Sequence, residues 1–350
     1  MKHNPSSRGA APPFSRYAGR GRRQRGGAAL ARRLLVWAAA VLCASRPPQR
    51  GERVTSASLA RLFGLAALWG GSFLFMRVAA PVLGAVPTAF FRVAFAALGL
   101  VAIVLAMRVP RDWRGLGRPA LALGAINSGI PFLMYALAAR VLPAGYSAIL
   151  NATTPLMGVL IGAALFGERI TTARIGGVLV GLAGVAVLMR AEPVAPNAAT
   201  LLGMGACLVA TFSYGLSTQL TRRWVSDRGG LDSRLAALGS QVGAVLTLLP
   251  AFAWQAVQAP ALLPRLAAAG VSIWTAMLVL GLACTSLGYV IFFRLIADIG
   301  PLGALTVTFL VPAFGALWGW CFLGEPLTLA HLGGGGLIAA ALWLVLRPAR

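Results

Sequence analysis

Apolar stretches of about twenty residues recur along the chain from Leu59 to Leu346, and this feature limits the fold more than any other. A helix of that length crosses the roughly 30 Å hydrocarbon core of a bilayer. Composition agrees, because 58% of the residues are hydrophobic and only 11% are charged, which leaves too little polar surface for a water-soluble fold. The sequence therefore predicts an all-α polytopic membrane protein.

The apolar stretches divide into ten predicted transmembrane helices with short connections. Their predicted bounds are 59–79, 87–107, 118–139, 144–166, 172–190, 199–220, 235–256, 271–294, 301–323 and 329–346. Loops this short leave no room for a soluble domain that could bind a partner protein.

The distribution of arginine orients these spans. If the N-terminus is cytoplasmic, the inner loops and the C-terminal tail contain Arg108, Arg111, Arg114, Arg118, Arg169, Arg174, Arg222, Arg223, Arg228, Arg234, Arg294, Arg347 and Arg350. The opposite side has only Arg77, Arg140, Arg190 and Arg265. By the positive-inside rule, both termini are predicted to be cytoplasmic in a bacterial inner membrane. The net charge of +23 is thus a topology signal, and no basic stripe with interleaved aromatics indicates nucleic-acid binding.

The residues that build metal, disulfide and nucleotide sites are too scattered to form one. The four cysteines, Cys43, Cys207, Cys284 and Cys321, are widely spaced, and the two histidines are His3 and His331. A P-loop pattern for ATP is absent from the sequence. The sequence therefore predicts no cofactor, no metal and no catalytic residues.

The first 53 residues differ from the rest of the chain, with twelve basic residues and one short apolar run from Leu34 to Ala44. A charged flank before a short apolar run resembles a signal peptide. The alternative, which we favour, is that synthesis begins at Val54 and that residues 1–53 are an untranslated or disordered extension. Either way this segment lies outside the predicted fold.

An internal repeat is the most specific signal in the sequence. Residues 155–190 match residues 312–347 at a constant offset of 157, so that Gly167-Glu168 pairs with Gly324-Glu325. Further upstream, Gly64, Ser72 and Phe73 pair with Gly203, Thr211 and Phe212 at an offset of 139. The predicted repeats are residues 59–190 and 199–347.

Each predicted repeat contains five spans, and an odd number inverts the second repeat relative to the first. Inverted repeats place a substrate site near the bilayer midplane and permit alternating access. The repeat therefore favours a transporter over an enzyme.

Four segments carry a family resemblance: L-W-G-G-S-F-L-F from residue 68, F-F-R-V-A-F-A from residue 90, P-L-M-G-V-L-I-G-A-A-L-F-G-E-R-I-T from residue 155, and P-A-F-G-A-L-W-G-W-C-F-L-G-E-P-L-T from residue 312. With them the chain resembles an EamA-type member of the drug/metabolite transporter superfamily over nearly all of residues 59–347. The resemblance implies a ten-span fold with a central cavity, and substrates such as amino acids, other small metabolites or nucleotide sugars.

Charged residues inside the predicted spans are scarce. All eight carboxylates fall outside a span or at its edge, whereas Arg92 lies within the second span. A charge inside a membrane is costly and marks a functional candidate, and a guanidinium can bind a carboxylate or phosphate through two hydrogen bonds. The alternative is that Arg92 extends to the outer headgroups. Its approximate counterpart in the seventh span is Gln241, so the second repeat lacks the charge.

Polar and aromatic residues at mid-span depth complete the predicted substrate cavity. The candidates are Trp69, Arg92, Asn127, Tyr135, Asn151, Pro155, Tyr214, Gln241, Thr285, Thr308 and Pro312. Asn151 and Thr308 are equivalent in the repeat, and each precedes a paired proline by four residues, where a weakened helix could offer carbonyls to a ligand.

Two glycine-rich features have structural interpretations. Gly167 and Gly324 are predicted to end helices in a left-handed cap, with Glu168 and Glu325 beside the start of the following helix. Glycines at 176, 177, 181 and 184 and at 333–336 allow close approach of the fifth and tenth spans, for packing within the monomer or for a homodimer.

The leading functional hypothesis is secondary transport of amino acids or similar small zwitterions and anions, with export implied by the family resemblance alone. The alternative is a membrane-embedded structural or regulatory subunit, or a lipid-handling protein. An enzyme would need a cluster of acid, base, nucleophile or metal ligands, and the sequence offers none.

Overall fold

The computed structural model of the chain describes residues 55–167, 172–189, 197–305 and 307–346, and the elements in these ranges are helical. We number them α1 Ser56–Leu83, α2 Ala85–Ala106, α3 Gly117–Ala138, α4 Ala144–Phe166, α5 Thr172–Met189, α6 Ala198–Trp224, α7 Ser233–Gln258, α8 Leu262–Ala268, α9 271–305, α10 307–323 and α11 Leu329–Leu346. The N-terminal extension and both of its interpretations lie outside the described residues.

Within the described ranges, seven helices are long and apolar enough to cross a membrane, namely α1 to α4, α6, α7 and the first 25 residues of α9. Three shorter apolar helices cover Ile175–Val187, Leu310–Leu323 and Leu329–Ala341. Large apolar side chains such as Leu202 and Leu329 lie on the exterior, where water would disfavour them and lipid would not. The chain is a multi-pass membrane protein.

Helix ends follow local sequence signals. Thr55 accepts a hydrogen bond from the backbone N–H of Ser58, and Asn197 forms a reciprocal capping box with Thr200. Gly167 and Gly324 end α4 and α10 with a φ of +68° at each, which confirms the predicted left-handed caps. The repeated glycine thus has the same backbone role at both of its positions.

Within the described ranges, four helices depart from regular α-helical geometry. α3 contains a π-helical segment at Ala125–Gly129, α9 a longer one at Val279–Leu287, and α10 ends in another at Gly319–Leu323. α4 is interrupted after Asn151 and resumes at Thr154. π-helical turns recur at functional sites because they break the regular hydrogen-bond ladder.

Two predicted loops are helical in the structure. α9 continues through residues 295–300, which were predicted as a loop, and this places Asp298 within a helix rather than at its edge. The predicted connection between the seventh and eighth spans contains α8. The first difference arises because a short interruption of the apolar pattern does not by itself end a helix that packs against its neighbours.

Helices from the two parts of the chain pack across one another in related pairs. α1 lies against α10 while α6 lies against α4, and α2 lies against α9 while α3 lies against α7. α2 and α7 also pack together, as do α5 and α11. Exchanging α1 to α5, in order, with α6, α7, α9, α10 and α11 leaves this set of contacts unchanged.

Glycines set the closest approaches and correct one predicted pairing. A Cβ added to Gly70 would lie 2.8 Å from the backbone nitrogen of Gly315, and one added to Gly215 would lie 2.8 Å from that of Gly158. Gly158 and Gly315 differ by the predicted 157 residues, but Gly70 and Gly215 differ by 145. The pairing at 139 is therefore wrong for α1 and α6, because the short sequence matches there do not coincide with the contacts.

The glycine-rich faces of α5 and α11 meet within the monomer. A Cβ at Gly184 would lie 2.9 Å from the carbonyl oxygen of Gly334 and equally close to Ile338. Small residues permit such close backbone contact in membranes. This part of the stripe serves packing within the chain, and the homodimer through these helices stays a prediction.

Candidate functional site

Arg92 points into the helix bundle, and its side chain is defined by three contacts. It is 6% exposed. Its Nε donates to the hydroxyl of Thr285 at 3.3 Å, its Nη1 lies 3.3 Å from the sulfur of Met76, and its Cζ lies 3.5 Å from the centre of the Phe132 ring. The cation–π contact with Phe132 holds the guanidinium over an aromatic face. The alternative in which Arg92 extends to the headgroups is wrong.

Among the residues that the structure describes, no carboxylate forms an ion pair with Arg92. Its recorded partners are a hydroxyl, a thioether and a ring, and these leave the positive charge uncompensated. A buried charge without a counter-charge is costly. The geometry is that of a binding group for an anion, with guanidinium N–H donors suited to a carboxylate.

Tyr135 contacts two other predicted site residues. Its hydroxyl donates to Oδ1 of Asn151 at 2.8 Å, and its ring stacks near that of Tyr214 with 6.3 Å between centroids. The edge of the same tyrosine meets Phe73 at 5.3 Å. Tyr135 lies one turn of α3 beyond Phe132, so this aromatic group adjoins the surroundings of Arg92.

Asn127 lies at the centre of a hydroxyl network. Its amide nitrogen is 3.4 Å from the hydroxyl of Ser240 and 3.5 Å from that of Tyr289, while Ser217 donates to its carbonyl oxygen at 3.2 Å. Four helices, α3, α6, α7 and α9, contribute to this network. Such hydrogen bonds satisfy polar groups in a bilayer, where water is absent.

Gln241 is fully buried on α7, and its amide nitrogen donates to the hydroxyl of Ser128 at 2.9 Å. Ser128 also shares a hydrogen bond of 3.3 Å with Ser240. Trp69 completes the predicted group, since its ring contacts Phe292 with 5.2 Å between centroids. The structure thus brings most of the predicted site residues into one buried region of hydroxyls, amides and aromatic rings.

The carbonyl that Pro155 leaves without its helix partner has a side-chain partner instead. Pro155 cannot bond the carbonyl of Asn151, but the hydroxyl of Thr154 donates to that carbonyl at 2.7 Å. A carbonyl oxygen accepts two hydrogen bonds, so a role of this carbonyl in ligand binding stays a prediction. Pro312 lies inside a continuous helical stretch of α10, and Thr308 is half-buried one turn before it.

A sequence model of the EamA-like transporter family matches this chain twice, at residues 57–190 and 201–347. The chain belongs to the EamA-like transporter family. Relatives of this EamA protein are transporters where their names state a role, which agrees with a transporter rather than an enzyme.

Three relatives show the breadth of the likeness. A protein of Streptantibioticus cattleyicolor named "Probable terminal-alkyne amino-acid exporter" is 28% identical over 80% of this chain and 90% of its own length. An "Uncharacterized transporter" of Archaeoglobus fulgidus is 23% identical over 80% of this chain and 95% of its own length. A chloroplastic WAT1-related protein of Arabidopsis thaliana is 28% identical over 80% of this chain and 67% of its own length.

A solved crystal structure of a protein that is 20% identical superposes on the EamA chain with a TM-score of 0.55. The match covers 83% of this chain and 96% of that chain. At this level of identity the likeness shows the fold alone.

Glu325 has a different role from the one that the sequence suggested. Instead of lying beside the start of its own helix α11, it accepts hydrogen bonds from the backbone N–H of Ala144 at 2.9 and 3.1 Å and lies 3.6 Å from Nε of Arg77. Burial raises the pKa of the Glu325 carboxyl, while the Ala144 N–H and the charge of Arg77 oppose the shift. The carboxylate therefore caps α4 from the other half of the EamA chain, and Glu168 lies outside the described residues.

Sequence reasoning missed several residues that shape the site. The ring of Phe132 packs against the guanidinium of Arg92, and the hydroxyl of Ser128 accepts a hydrogen bond from Gln241. The repeat signal could have found both of them. At the offset of 157, Phe132 pairs with Tyr289, which also contacts the polar network, and Ser128 pairs with Thr285, a predicted site residue.

Proposed function

We propose that the chain is a secondary transporter that exports small metabolites bearing a carboxylate, such as amino acids or related zwitterions and anions. Its ten transmembrane helices form two inverted halves of five, α1–α5 and the helices from α6 onward, with the short α8 as a connection. Export follows alternating access across a bacterial inner membrane, with both termini cytoplasmic.

One observation supports carboxylate-bearing compounds as the substrate class. Arg92 is buried in the bundle, and no ion pair to a carboxylate is recorded for it within the described part of the chain. A bound carboxylate would supply the missing counter-charge and two strong hydrogen bonds. The relative from Streptantibioticus cattleyicolor, named as an amino-acid exporter, supports the same class and direction at 28% identity.

Matching contacts support the inverted halves. Ser72 donates to the carbonyl of Trp69 at 2.6 Å, and Ser217 donates to that of Tyr214 at 3.2 Å, with 145 residues between the two pairs. The aromatic contact of Trp69 with Phe292 likewise corresponds to that of Tyr214 with Tyr135. The two aromatic contacts join the halves in opposite senses, as a pseudo-twofold axis in the membrane plane requires.

Arginine placement supports the orientation. Arg61 and Arg294 meet Asp298 at one end of the bundle, whereas Arg77 and Glu325 meet at the other. The arginine-rich loops fall on the side of Asp298, which is then cytoplasmic by the positive-inside rule. Opening of either side during transport must separate contacts at that end.

The test is counterflow in proteoliposomes with labelled amino acids, monocarboxylates, dicarboxylates and nucleotide sugars, and with labelled cationic amines and lipids for comparison. We expect the wild type to accumulate one carboxylate-bearing class. Arg92→Gln should lower uptake about tenfold or more, because a hydrogen-bonded charge is lost. Arg92→Lys should recover part of it, since lysine keeps the charge but cannot stack on Phe132 or bind through a planar fork. Arg140→Gln, at an exposed loop arginine, is the matched control and should leave uptake unchanged.

The outcomes separate the candidate functions. If folded wild type moves cationic amines or lipids, and Arg92→Gln moves them equally well, the carboxylate assignment is wrong. If no compound moves and none raises the melting temperature of the purified protein, transport itself is contradicted, and the structural or lipid-handling alternative takes its place.

A further inference from the structure

The central site breaks the symmetry of the two halves. Gly281 on α9 packs against the carbonyl of Arg92, and Gly124 on α3 packs in the same way against the carbonyl of Ser240. The side chains correspond as well, because Arg92 donates to Thr285 while Ser240 shares a hydrogen bond with Ser128. Thr285 and Ser128 are 157 residues apart, and each lies in a π-helical segment. One half therefore carries a cation where the other carries a neutral hydroxyl.

Gln241, the neighbour of Ser240, holds an acceptor atom without a donor. Its side chain is fully buried, and its Nε2 is engaged by Ser128 at 2.9 Å. Its Oε1 is buried and has no hydrogen-bond partner among the described residues. Buried polar atoms are nearly always paired, so an orphaned acceptor in a binding region calls for a donor. The missing donor is thus expected on a ligand.

The guanidinium and the open acceptor are anchored on neighbouring positions of one helix. Arg92 rests on Phe132 and Gln241 on Ser128, and these two residues of α3 are four apart in the sequence. The Cβ atoms of residues four apart on a helix are about 5–6 Å from each other. Anchors this near each other suit a small ligand that carries two polar groups on one carbon atom.

We propose that Gln241 binds the ammonium group of a zwitterionic α-amino acid whose carboxylate is bound by Arg92. This assignment rests on the proposed transport function. The Oε1 atom of Gln241 accepts one ammonium N–H, and the hydroxyls of Ser240 and Tyr289 lie in the same network for the others. Gln241 is then a specificity-determining residue that favours amino acids over simple monocarboxylates and over amines.

The experiment compares three matched compounds against wild type and variants in counterflow. They are leucine, its desamino analogue 4-methylpentanoate, and its decarboxylated analogue 3-methylbutylamine. If a different amino acid of the transport panel is carried best, its own two analogues replace them. Wild type should prefer the amino acid over both analogues.

Gln241→Met keeps the shape of the side chain and removes the acceptor. We expect that about tenfold more unlabelled amino acid is needed to inhibit counterflow, because the ammonium loses a partner. The concentration of the desamino acid that inhibits counterflow should stay unchanged. Arg92→Gln should weaken inhibition by both compounds. Gln255→Met, the same change near the far end of α7, is the matched control, since Gln255 also has an Oε1 without a recorded partner but lies about 21 Å along the helix. It should preserve the preference for the amino acid.

Three results would overturn the assignment. One is an unchanged preference in folded Gln241→Met while Arg92→Gln loses transport, and this leaves the proposed function intact. Another is an equal loss of preference in Gln255→Met, which would make the effect one of α7 packing rather than of the Gln241 acceptor. A wild type that carries none of the panel overturns the transport function and this inference with it.

Discussion

The two ends of α1 are both tied by an arginine and a carboxylate, but the two ties differ in kind. At its start, Arg61 pairs with Asp298 at 2.5 Å, and Arg294 approaches the same carboxylate at 3.1 Å. Toward its end, Arg77 is 3.6 Å from Glu325, whose oxygens are held by the N–H of Ala144. The first is an ion pair between side chains, and the second is chiefly a carboxylate bound to backbone.

The surroundings strengthen the difference. The side chains of Arg61 and Asp298 are 8% and 12% exposed, whereas that of Arg77 is 30% exposed. A close pair away from solvent depends strongly on both charges, while a looser and wetter pair depends on them little. Arg77 also donates to the carbonyl of Ala139 at 2.9 Å, so part of its role needs no carboxylate. The two ends should therefore respond unequally to the same change.

The largest effect is expected at Asp298. Asp298→Asn removes the counter-charge of the buried Arg61 and should lower the free energy of unfolding by about 3 kcal/mol. Arg61→Gln should cost less, because Asp298 keeps Arg294. Unfolding in mixed detergent micelles measures both, and the exchange Arg61→Asp with Asp298→Arg should recover part of the loss. A cost below about 0.5 kcal/mol for Asp298→Asn would show that the pair contributes little.

A smaller effect is expected at Glu325, and it should depend on the acceptor rather than on the charge. Glu325→Ala leaves the start of α4 without its cap and should cost about 1–2 kcal/mol, which is typical of a lost N-cap. Glu325→Gln keeps one acceptor oxygen and should cost clearly less. The same unfolding assay decides, and equal losses in the two variants would mean that the charge of Glu325 matters as much as its hydrogen bonds.

The pH response of Glu325 sharpens the comparison further. Burial raises the pKa of its carboxyl above the ordinary value of 4.5, so the folded state binds the proton more tightly than the unfolded state does. The stability from this proton is fully present below pH 4.5 and is lost as the pH rises through the folded-state pKa. The loss has a slope of at most about 1.4 kcal/mol per pH unit. The free energy of unfolding of wild type, measured relative to that of Glu325→Gln, should therefore fall as the pH rises above 4.5. A difference that does not vary with pH would contradict the raised pKa.

Much of the fold could be predicted because lipid imposes strong rules on sequence. The lengths of the apolar stretches predicted most of the helices, and the position of Arg92 inside such a stretch predicted that it is buried. The offset of 157 was readable where glycine and proline repeat, since these residues have backbone roles that few others can replace. The offset of 145 between α1 and α6 was missed, although Gly70 pairs with Gly215 and Ser72 with Ser217, because other short matches fall at an offset of 139.

The site was predicted only in part, because its partners are distant along the chain. Glu325 carried a sequence signature of a local helix start, yet its partner Ala144 is 181 residues away. The π-helical segments that hold Ser128 and Thr285 have no sequence signature, since they result from the register of backbone hydrogen bonds. The open acceptor of Gln241 likewise becomes visible only when every neighbour has been placed.

The smallest effect is expected at Arg77, and it tests whether the two ends of α1 differ as their geometry indicates. Arg77→Lys keeps the positive charge near Glu325 and should change the free energy of unfolding by no more than about 0.5 kcal/mol, because the pair is long and partly solvated. Arg61→Lys, the matched change at the other end, should cost more, since a lysine cannot reproduce a close guanidinium contact with Asp298. Equal costs in the two lysine variants would show that the closeness of the ion pair at the start of α1 adds nothing. The contrast between the ends would then rest on the backbone contacts of Glu325 alone.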